Sequence, residues 1–151
     1  MHKFGRYTIL IVSIALFLVS LTQDAFYIEG PTPRAWASAF YLLLLGWLGL
    51  LSGTIAWFAN PLVIAAWVLF ALRRYWLALA LGVAASFCAL SFLNVDSVVV
   101  SEAPSFAKIM GFGLGYWLWA ASMVATTIGC ALALAGLVRD ARGPTQTASP
   151  Q

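Results

Sequence analysis

The chain has 151 residues, of which 63% are hydrophobic and only 9% are charged, and its formal net charge is +3. An average soluble domain carries about 25% charged residues, so this chain has too few polar side chains to coat a water-soluble globule. The cations flank apolar runs and form no basic stripe, which argues against nucleic-acid binding and favours anionic lipid headgroups as the surface that they meet.

The N-terminal segment resembles a secretory signal peptide, but we expect it to be retained. Lys3 and Arg6 precede an apolar run that leads into Leu21, and the residues after it lack the small-residue pattern of a cleavage site. We therefore predict a first membrane span from Tyr7 to Leu21. It is at the short end of the roughly 20 residues that cross a hydrocarbon core of about 30 Å.

A long uncharged stretch, Ala35 to Leu72, ends at the pair Arg73-Arg74. The second span is predicted from Trp36 to Phe58, and Asn60-Pro61 is expected to break the helix, because proline lacks an N–H and clashes with the preceding turn. The remaining piece, Leu62 to Leu72, makes a helix of only about 17 Å. We expect this piece to lie at the cytoplasmic interface or to dip in and return.

The second half of the chain contains two more predicted spans. Span three is Tyr75 to Leu93 and span four is Gly111 to Val138, with a polar loop between them from Asn94 to Lys108. Residues 1–138 are thus predicted to form one all-α transmembrane helical bundle. Residues 139–151, rich in Pro, Thr, Ser and Gln, are expected to form a disordered cytoplasmic tail.

Charge decides between two topologies. With four spans and both termini cytoplasmic, the cytoplasmic side holds six cations and Asp140, a net charge of +5. The outer side holds two cations and four acids, a net charge of −2, so that the two sides sum to the stated +3. With five spans, Ala35 to Leu72 makes two short spans that turn near Ser52-Gly53, and five of the eight Lys/Arg residues fall outside. The positive-inside rule disfavours that arrangement, although a thin bilayer keeps it open. The cytoplasmic cations of the four-span topology are Lys3, Arg6, Arg73, Arg74, Arg139 and Arg142; the outer charges are Arg34, Lys108, Asp24, Glu29, Asp96 and Glu102.

Small residues recur at helical spacing in the predicted spans. They let helix backbones approach closely where lipid provides no hydrophobic drive for association. These stripes predict either internal packing of the bundle or a docking face for another membrane protein. The stripes are Gly46, Gly49 and Gly53 in span two, Ala78, Gly82 and Ser86 in span three, and Ala121, Ala125, Gly129 and Ala133 in span four.

Two further patterns have simple interpretations. The string GFGLG, with Gly111, Gly113 and Gly115, is similar to a phosphate-binding loop, but it follows a polar loop and opens an apolar span, so we expect flexibility there and not nucleotide binding. Aromatic residues should mark the headgroup level at both boundaries. At the outer boundary these are Trp36, Tyr41, Tyr116, Trp117 and Trp119, and at the inner boundary Trp57, Tyr75 and Trp76.

The absence of reactive groups from the spans argues against catalysis and transport. No Asp, Glu, Lys, Arg or His lies in the middle of a predicted span, although proton-coupled transport normally needs one. The only histidine is His2, and Cys88 and Cys130 lie in apolar segments without a CxxC pattern. We therefore predict no enzyme activity, no metal and no cofactor, and we expect the cysteines to serve as packing residues.

Four strings, TQDAFY, GWLGLLSG, AWFANP and GYWLWAASM, resemble a loose group of small bacterial multi-pass inner-membrane proteins. The resemblance implies a bacterial inner membrane and adds no catalytic residue. Some short multi-pass proteins of this style are immunity partners of secreted membrane-active toxins. The sequence hypothesis is therefore a non-catalytic binding protein in the lipid bilayer that engages another membrane protein, most concretely an immunity protein against a membrane-active or pore-forming toxin. The alternative is a small subunit or assembly factor of a larger membrane or transport complex.

Overall fold

The computed structural model describes residues 3–29, 37–99 and 106–142 and is mostly helical. Within these ranges it contains five α-helices and three short strands, with 3-10 helical segments at Gly46–Ser52, Ala56–Phe58 and Phe92–Asn94. The elements in chain order are α1 (Lys3–Ser20), β1 (Phe26–Ile28), α2 (Ala39–Leu45), α3 (Ala59–Ala71), α4 (Tyr75–Ser91), β2 (Ser97–Val99), β3 (Phe106–Phe112) and α5 (Leu114–Arg142).

Four of the helices, α1, α3, α4 and α5, pack into an alternating bundle. Its core has two layers, a first around Phe70 and Cys130 and a second around Val63 and Met123. Every one of these helices contributes to both layers. Along α1 and α4 the chain passes from the first layer to the second, whereas along α3 and α5 it passes from the second to the first, so sequential bundle helices are antiparallel. The first layer contains Leu10, Phe70, Tyr75, Ala78, Cys130 and Ala133, and the second contains Phe17, Ala59, Val63, Ala85, Ala89 and Met123.

The two ends of the bundle carry charge of opposite sign. One end, which we call the arginine end, contains the α3–α4 turn with Arg73 and Arg74 and the last turns of α5 with Arg139 and Asp140. The first turn of α1 and the last turn of α5 both lie at this end, because α1 and α5 are antiparallel. The opposite end, the sheet end, contains the three strands and the described charges Asp24, Glu29, Asp96 and Lys108.

Two segments of the described chain are long and apolar enough to cross a membrane: Tyr75–Asn94 and Leu114–Ala141. At about 1.5 Å per residue, α5 with its 29 residues is about 44 Å long and α4 with its 17 residues about 26 Å. The other apolar helices are shorter, at Tyr7–Ser20, Ala39–Leu50 and Ala56–Ala71. Helix α5 extends through Arg142, beyond the expected end of span four at Val138, and residues 143–151 of the expected tail lie outside the described residues.

The prediction of one continuous helix from Trp36 to Phe58 is wrong. Helix α2 ends at Leu45, a 3-10 segment follows, and the chain reverses at Gly53, which adopts the left-handed conformation (φ 82°). The chain then returns far enough for the Trp57 indole N–H to donate to the Leu43 carbonyl over 2.9 Å. Residues 37–58, which we call the apolar hairpin, therefore leave the sheet end and fold back without completing a bundle helix. The turn lies where the five-span alternative placed it.

The expectation that Leu62 to Leu72 lies at the interface is also wrong, because this segment belongs to α3 and packs in the bundle. Val63, Ala66 and Phe70 are buried at helical spacing. Asn60-Pro61 does not break this helix but lies in its first turn, where proline is tolerated because the missing N–H has no intrahelical partner to lose.

Candidate binding surface at the sheet end

The two polar loops predicted from the sequence meet in a three-stranded antiparallel sheet of order β1-β3-β2. Strand β1 comes from the first loop, and β2 and β3 come from the second. The pairing between β1 and β3 is irregular at one point, because Tyr27 pairs with Gly111 whereas Ile28 pairs with Ile109, which leaves Met110 as an extra residue in β3. Such a bulge bends the strand and redirects a side chain.

The inner face of the sheet packs on a buried aromatic group. Phe92 lies 5.8 Å from Phe26 and 5.9 Å from Tyr116, and Tyr116 lies 4.7 Å from Phe112, all measured between ring centroids. The Tyr116 hydroxyl donates to the Ala89 carbonyl at the end of α4, at 3.2 Å. Aromatic pairs at such separations contribute about 0.5–1.5 kcal/mol each beyond their buried area. The sheet is therefore held firmly on α4 and α5.

Two glycines of the GFGLG string, Gly113 and Gly115, serve close packing here, whereas Gly111 has open space around it. The expected flexibility at this position stays a prediction. Gly113 donates its N–H to the Ala25 carbonyl at 2.8 Å and Gly115 donates to the Asp24 carbonyl at 2.9 Å. A methyl group on Gly113 would overlap the Asp24 carbonyl, and one on Gly115 would lie 2.8 Å from the Asp24 oxygen. The string begins inside β3, with Gly111 and Phe112 as the last two residues of that strand, and it leads into α5. Its N–H groups at 113 and 115 are nevertheless bonded to protein carbonyls, so they do not form a phosphate cradle.

The residues Gln23 to Ala25 join three parts of the sheet end. On one side, the Ala25 and Asp24 carbonyls accept from Gly113 and Gly115 at the start of α5. On the other side, Ala25 donates to the Ala37 carbonyl at 2.7 Å, and Ala39 donates to the Gln23 carbonyl at 3.1 Å. This short segment therefore fixes both the entry to the apolar hairpin and the first turn of α5. Its Asp24 carbonyl accepts from the Gly115 N–H, one of the N–H groups at the start of a helix that have no intrahelical acceptor.

The outer face of the sheet is exposed and combines apolar and charged groups. Tyr27 is 56% exposed and Met110 is 66% exposed, and Lys108, Ser97 and Glu29 are also exposed. Of the charged side chains that the structure describes at this end, three are acids (Asp24, Glu29 and Asp96) and one is a cation (Lys108), which gives a net charge of −2. An ordered face with aromatic, thioether and charged groups is suited to binding a protein partner.

A chain of uncharged polar groups runs through the bundle core beneath this face. The Ser13 hydroxyl donates to the Ser122 carbonyl at 2.9 Å and lies 2.7 Å from the Thr126 hydroxyl, and the Trp67 indole N–H lies 2.9 Å from the Thr126 hydroxyl. These bonds join α1, α3 and α5. Ser13, Ser122 and Thr126 are all buried, so their pairing avoids the cost of burying an unbonded hydroxyl.

A second branch of the same network reaches the apolar hairpin. Asn60 accepts from the Trp119 indole at 2.9 Å and donates to the Trp57 carbonyl at 3.1 Å, and Trp57 donates to Leu43. Trp57 therefore lies in the same half of the bundle as Trp119, and its predicted place at the inner boundary is wrong. Tyr116 and Trp119 are buried and half-buried, whereas Trp117 and Trp76 are exposed. Trp36 lies outside the described residues, and the headgroup level of these aromatic residues stays a prediction.

The three glycines of predicted span two do not form one α-helical face, because the segment Gly46–Ser52 is a 3-10 helix. Gly46 instead admits the ring of Trp57, whose Cδ1 would lie 2.9 Å from an added methyl, and Gly49 faces Thr54. Gly53 occupies the left-handed position that ends the segment. All three thus shape the hairpin, while their role in binding a partner stays a prediction.

The small-residue stripes of α4 and α5 serve internal packing where they are buried. Gly82 packs against Thr127, whose hydroxyl bonds to Ser86 at 3.1 Å, and Gly129 packs against Ile9 of α1. Toward the sheet end the α5 stripe turns outward, because Ala125 is half-buried and Ala121 is exposed.

The cations predicted to set topology lie together at the arginine end as far as the structure describes them. The side chains of Arg73, Arg74 and Arg139 are exposed, and α1 begins and α5 ends at this end with Lys3 and Arg142 as terminal residues; Arg6 lies in the first turn of α1. Arg73 has φ 60°, so it is in the left-handed conformation at the α3–α4 turn.

The described side chains form no group of three His, Cys, Asp or Glu residues that could hold a metal. Cys130 is fully buried in the first core layer and Cys88 packs against the second, and both are free thiols.

Sequence reasoning missed the sheet and the polar network. The signals were present but weak: Ser122 and Thr126 stand one helical turn apart in an apolar run, and VVV near 98–100 is β-prone. No protein-family model, curated protein or solved structure matches the chain.

Proposed function

We propose that the chain is a non-catalytic integral protein of a bacterial inner membrane that binds a protein partner through the outer face of its sheet. In its most concrete form it is an immunity protein that neutralises a membrane-active or pore-forming toxin. The single observation that carries the proposal is the ordered sheet face with exposed Tyr27 and Met110, which two separate loops build at one end of an apolar bundle.

The bilayer setting is supported by the sides of the bundle. Large apolar side chains are exposed along the helices, whereas soluble proteins rarely expose contiguous apolar patches above a few hundred Å². The charged side chains that the structure describes lie at the two ends. Representative exposed residues are Ile11, Leu18, Leu77, Val83, Phe87, Val124 and Ile128.

The orientation follows from charge. Among described side chains the arginine end carries Arg73, Arg74 and Arg139 against Asp140, a net charge of +2, and the sheet end carries −2. The positive-inside rule then assigns the arginine end, with both helix termini, to the cytoplasm. The sheet face is thereby turned to the periplasm, where an incoming toxin first meets the membrane.

Rescue of a deletion strain tests the function. Cells that lack the gene should be sensitive to a toxin encoded beside it or delivered by sibling cells, and the wild-type chain should restore survival. Tyr27→Ala with Met110→Lys should rescue poorly, because hot-spot positions of protein interfaces each cost about 2 kcal/mol or more when truncated. Phe87→Ala, which changes a residue of similar exposure (68%) on the bundle side, is the matched control and should rescue fully.

The proposal fails if the deletion strain survives beside every toxin-delivering sibling and no neighbouring gene is toxic when expressed alone. Equal rescue by the sheet-face variant and the Phe87 control would reject the sheet as the binding surface while leaving an immunity role intact.

The apolar hairpin favours a second candidate, a small subunit or assembly factor of a larger membrane complex. Where the structure describes their burial, the exposed side chains of the hairpin are aromatic or aliphatic, and none of the α2 residues is buried. Exposed residues in it are Phe40, Tyr41, Leu44, Leu45, Trp47 and Leu48. Photo-crosslinking from position 47 in living cells would identify a stable lateral partner, and crosslinks to lipid alone would reject this candidate.

A further inference from the structure

We infer that the arginine end holds a site for one anionic phospholipid, in an open groove between α4 and α5. The groove has a volume of about 570 Å³, within the range of about 300–1,000 Å³ that is typical of ligand sites. Its apolar walls include Trp76, Leu79, Leu134 and Val138, and its one charged lining residue is Arg139. This inference goes beyond partner binding at the sheet end and rests only on the bilayer setting of the proposed function.

The chemistry of the groove fits a lipid with a phosphate headgroup. An acyl chain can lie on the leucine, valine and tryptophan surface, while the Arg139 guanidinium at the end of the groove donates to phosphate oxygens, which its planar fork suits well. Trp76 is 71% exposed and lies in the first turn of α4, two residues after Arg74. Its ring is therefore placed where indoles partition, at the headgroup level.

Charge complementarity selects an anionic headgroup over a zwitterionic one. Arg73 and Arg74 directly precede the first residues of α4 and share this end with Arg139. Against these three arginines the only acid among the described side chains of this end is Asp140, so the local charge is +2. A zwitterionic headgroup brings no net charge to balance this excess.

Quenching of tryptophan fluorescence by brominated lipid tests the site in the full-length protein. The chain is reconstituted in phosphatidylcholine vesicles that contain an equal minor fraction of either brominated phosphatidylglycerol or brominated phosphatidylcholine. We expect the relative affinity for phosphatidylglycerol to exceed that for phosphatidylcholine by about five-fold or more. Five-fold corresponds to the roughly 1 kcal/mol that one basic residue contributes near an anionic lipid surface.

Variants locate the preference. Arg139→Gln should reduce the preference for phosphatidylglycerol about five-fold. Trp76→Phe should remove the excess quenching by phosphatidylglycerol, because it removes the indole that reports on the groove. Lys108→Gln, which removes a cation at the sheet end, should change neither the preference nor the quenching. Equal quenching by the two lipids in the wild type, or an unchanged preference in Arg139→Gln, would overturn the inference. So would crosslinking between position 76 of two copies, since a second copy would then fill the groove. A chain that fails to float with either vesicle would reject the bilayer setting as well, and a chain that floats with equal quenching rejects only the lipid site.

Discussion

Substitution of Gly115 by alanine should destabilise the fold, whereas the same change at Gly111 in the same GFGLG string should not. A methyl group on Gly115 would lie 2.8 Å from the Asp24 oxygen and 3.0 Å from the Gln23 oxygen. Carbon–oxygen contacts normally lie at about 3.3–3.6 Å, so two backbone segments must separate by about 0.5 Å. Both neighbours are main-chain oxygens: the Gln23 oxygen accepts from the Ala39 N–H, and the Asp24 oxygen accepts from Gly115 itself. Neither can move as a flexible side chain would.

The magnitude follows from three terms. Overpacking costs about 1–3 kcal/mol, and weakening the 2.9 Å bond from Gly115 N to Asp24 O costs about 0.5–1.5 kcal/mol. Replacing a helical glycine by alanine returns about 1 kcal/mol. The expected net loss is therefore about 2 kcal/mol for Gly115→Ala.

Gly111 is the matched control. No described atom lies within 4 Å of a methyl group placed on it, and its φ is not among the positive ones in the described chain. Gly111→Ala should therefore leave the free energy of unfolding unchanged or raise it by up to about 1 kcal/mol. Unfolding in mixed micelles of mild detergent and sodium dodecyl sulfate, followed by circular dichroism, gives both values. Equal stability of the two variants would refute the close packing at the start of α5.

The other predictions concern the turn, the network and the threading. Arg73→Gly should raise the free energy of unfolding in the same assay by about 1 kcal/mol, because the left-handed φ of 60° costs residues other than glycine about 1–2 kcal/mol. Arg73→Ala should bring no such gain. A gain from both substitutions would contradict the reasoning. Thr126→Val should cost about 0.6 kcal/mol and at most about 1.7 kcal/mol, the average and the maximum measured for polar contacts between membrane helices. A double-mutant cycle with Trp67→Phe should show coupling, and strict additivity would mean that the 2.9 Å bond between Trp67 and Thr126 contributes nothing. A reporter fused after Arg142 should register as cytoplasmic, while a cysteine placed at Glu29, in a chain whose native cysteines are replaced, should react with an impermeant maleimide from outside; the opposite pattern would reject the orientation.

The sequence alone determined the features that depend on composition and on local chain properties. Long uncharged runs predicted the apolar helices. The two segments that are long and apolar enough to cross a membrane contain α4 and α5, whose boundaries are close to those expected. The positions of the polar loops and of the arginine pair were also readable. Each of these follows from residues that are neighbours in the chain, so no knowledge of distant contacts is needed.

Only the tertiary structure decided which part of the uncharged stretch joins the bundle. Both Trp36 to Phe58 and Leu62 to Leu72 are apolar on all sides, so hydrophobic periodicity cannot indicate which one packs inside. The choice is made by contacts between distant residues: Asn60 meets Trp119, and the Trp57 indole satisfies the Leu43 carbonyl where α2 gives way to a 3-10 segment.

The sheet and the packing of GFGLG have the same origin. A three-residue strand such as β1 has no stability of its own, and it forms because β3 and the aromatic cluster of Phe92 and Tyr116 lie beside it. Glycine spacing by itself is compatible with flexibility, with a phosphate loop or with close backbone contact. The Asp24 carbonyl lies so close to Gly113 and Gly115 that neither position has space for a side chain. Close backbone contact is therefore the role of these two glycines.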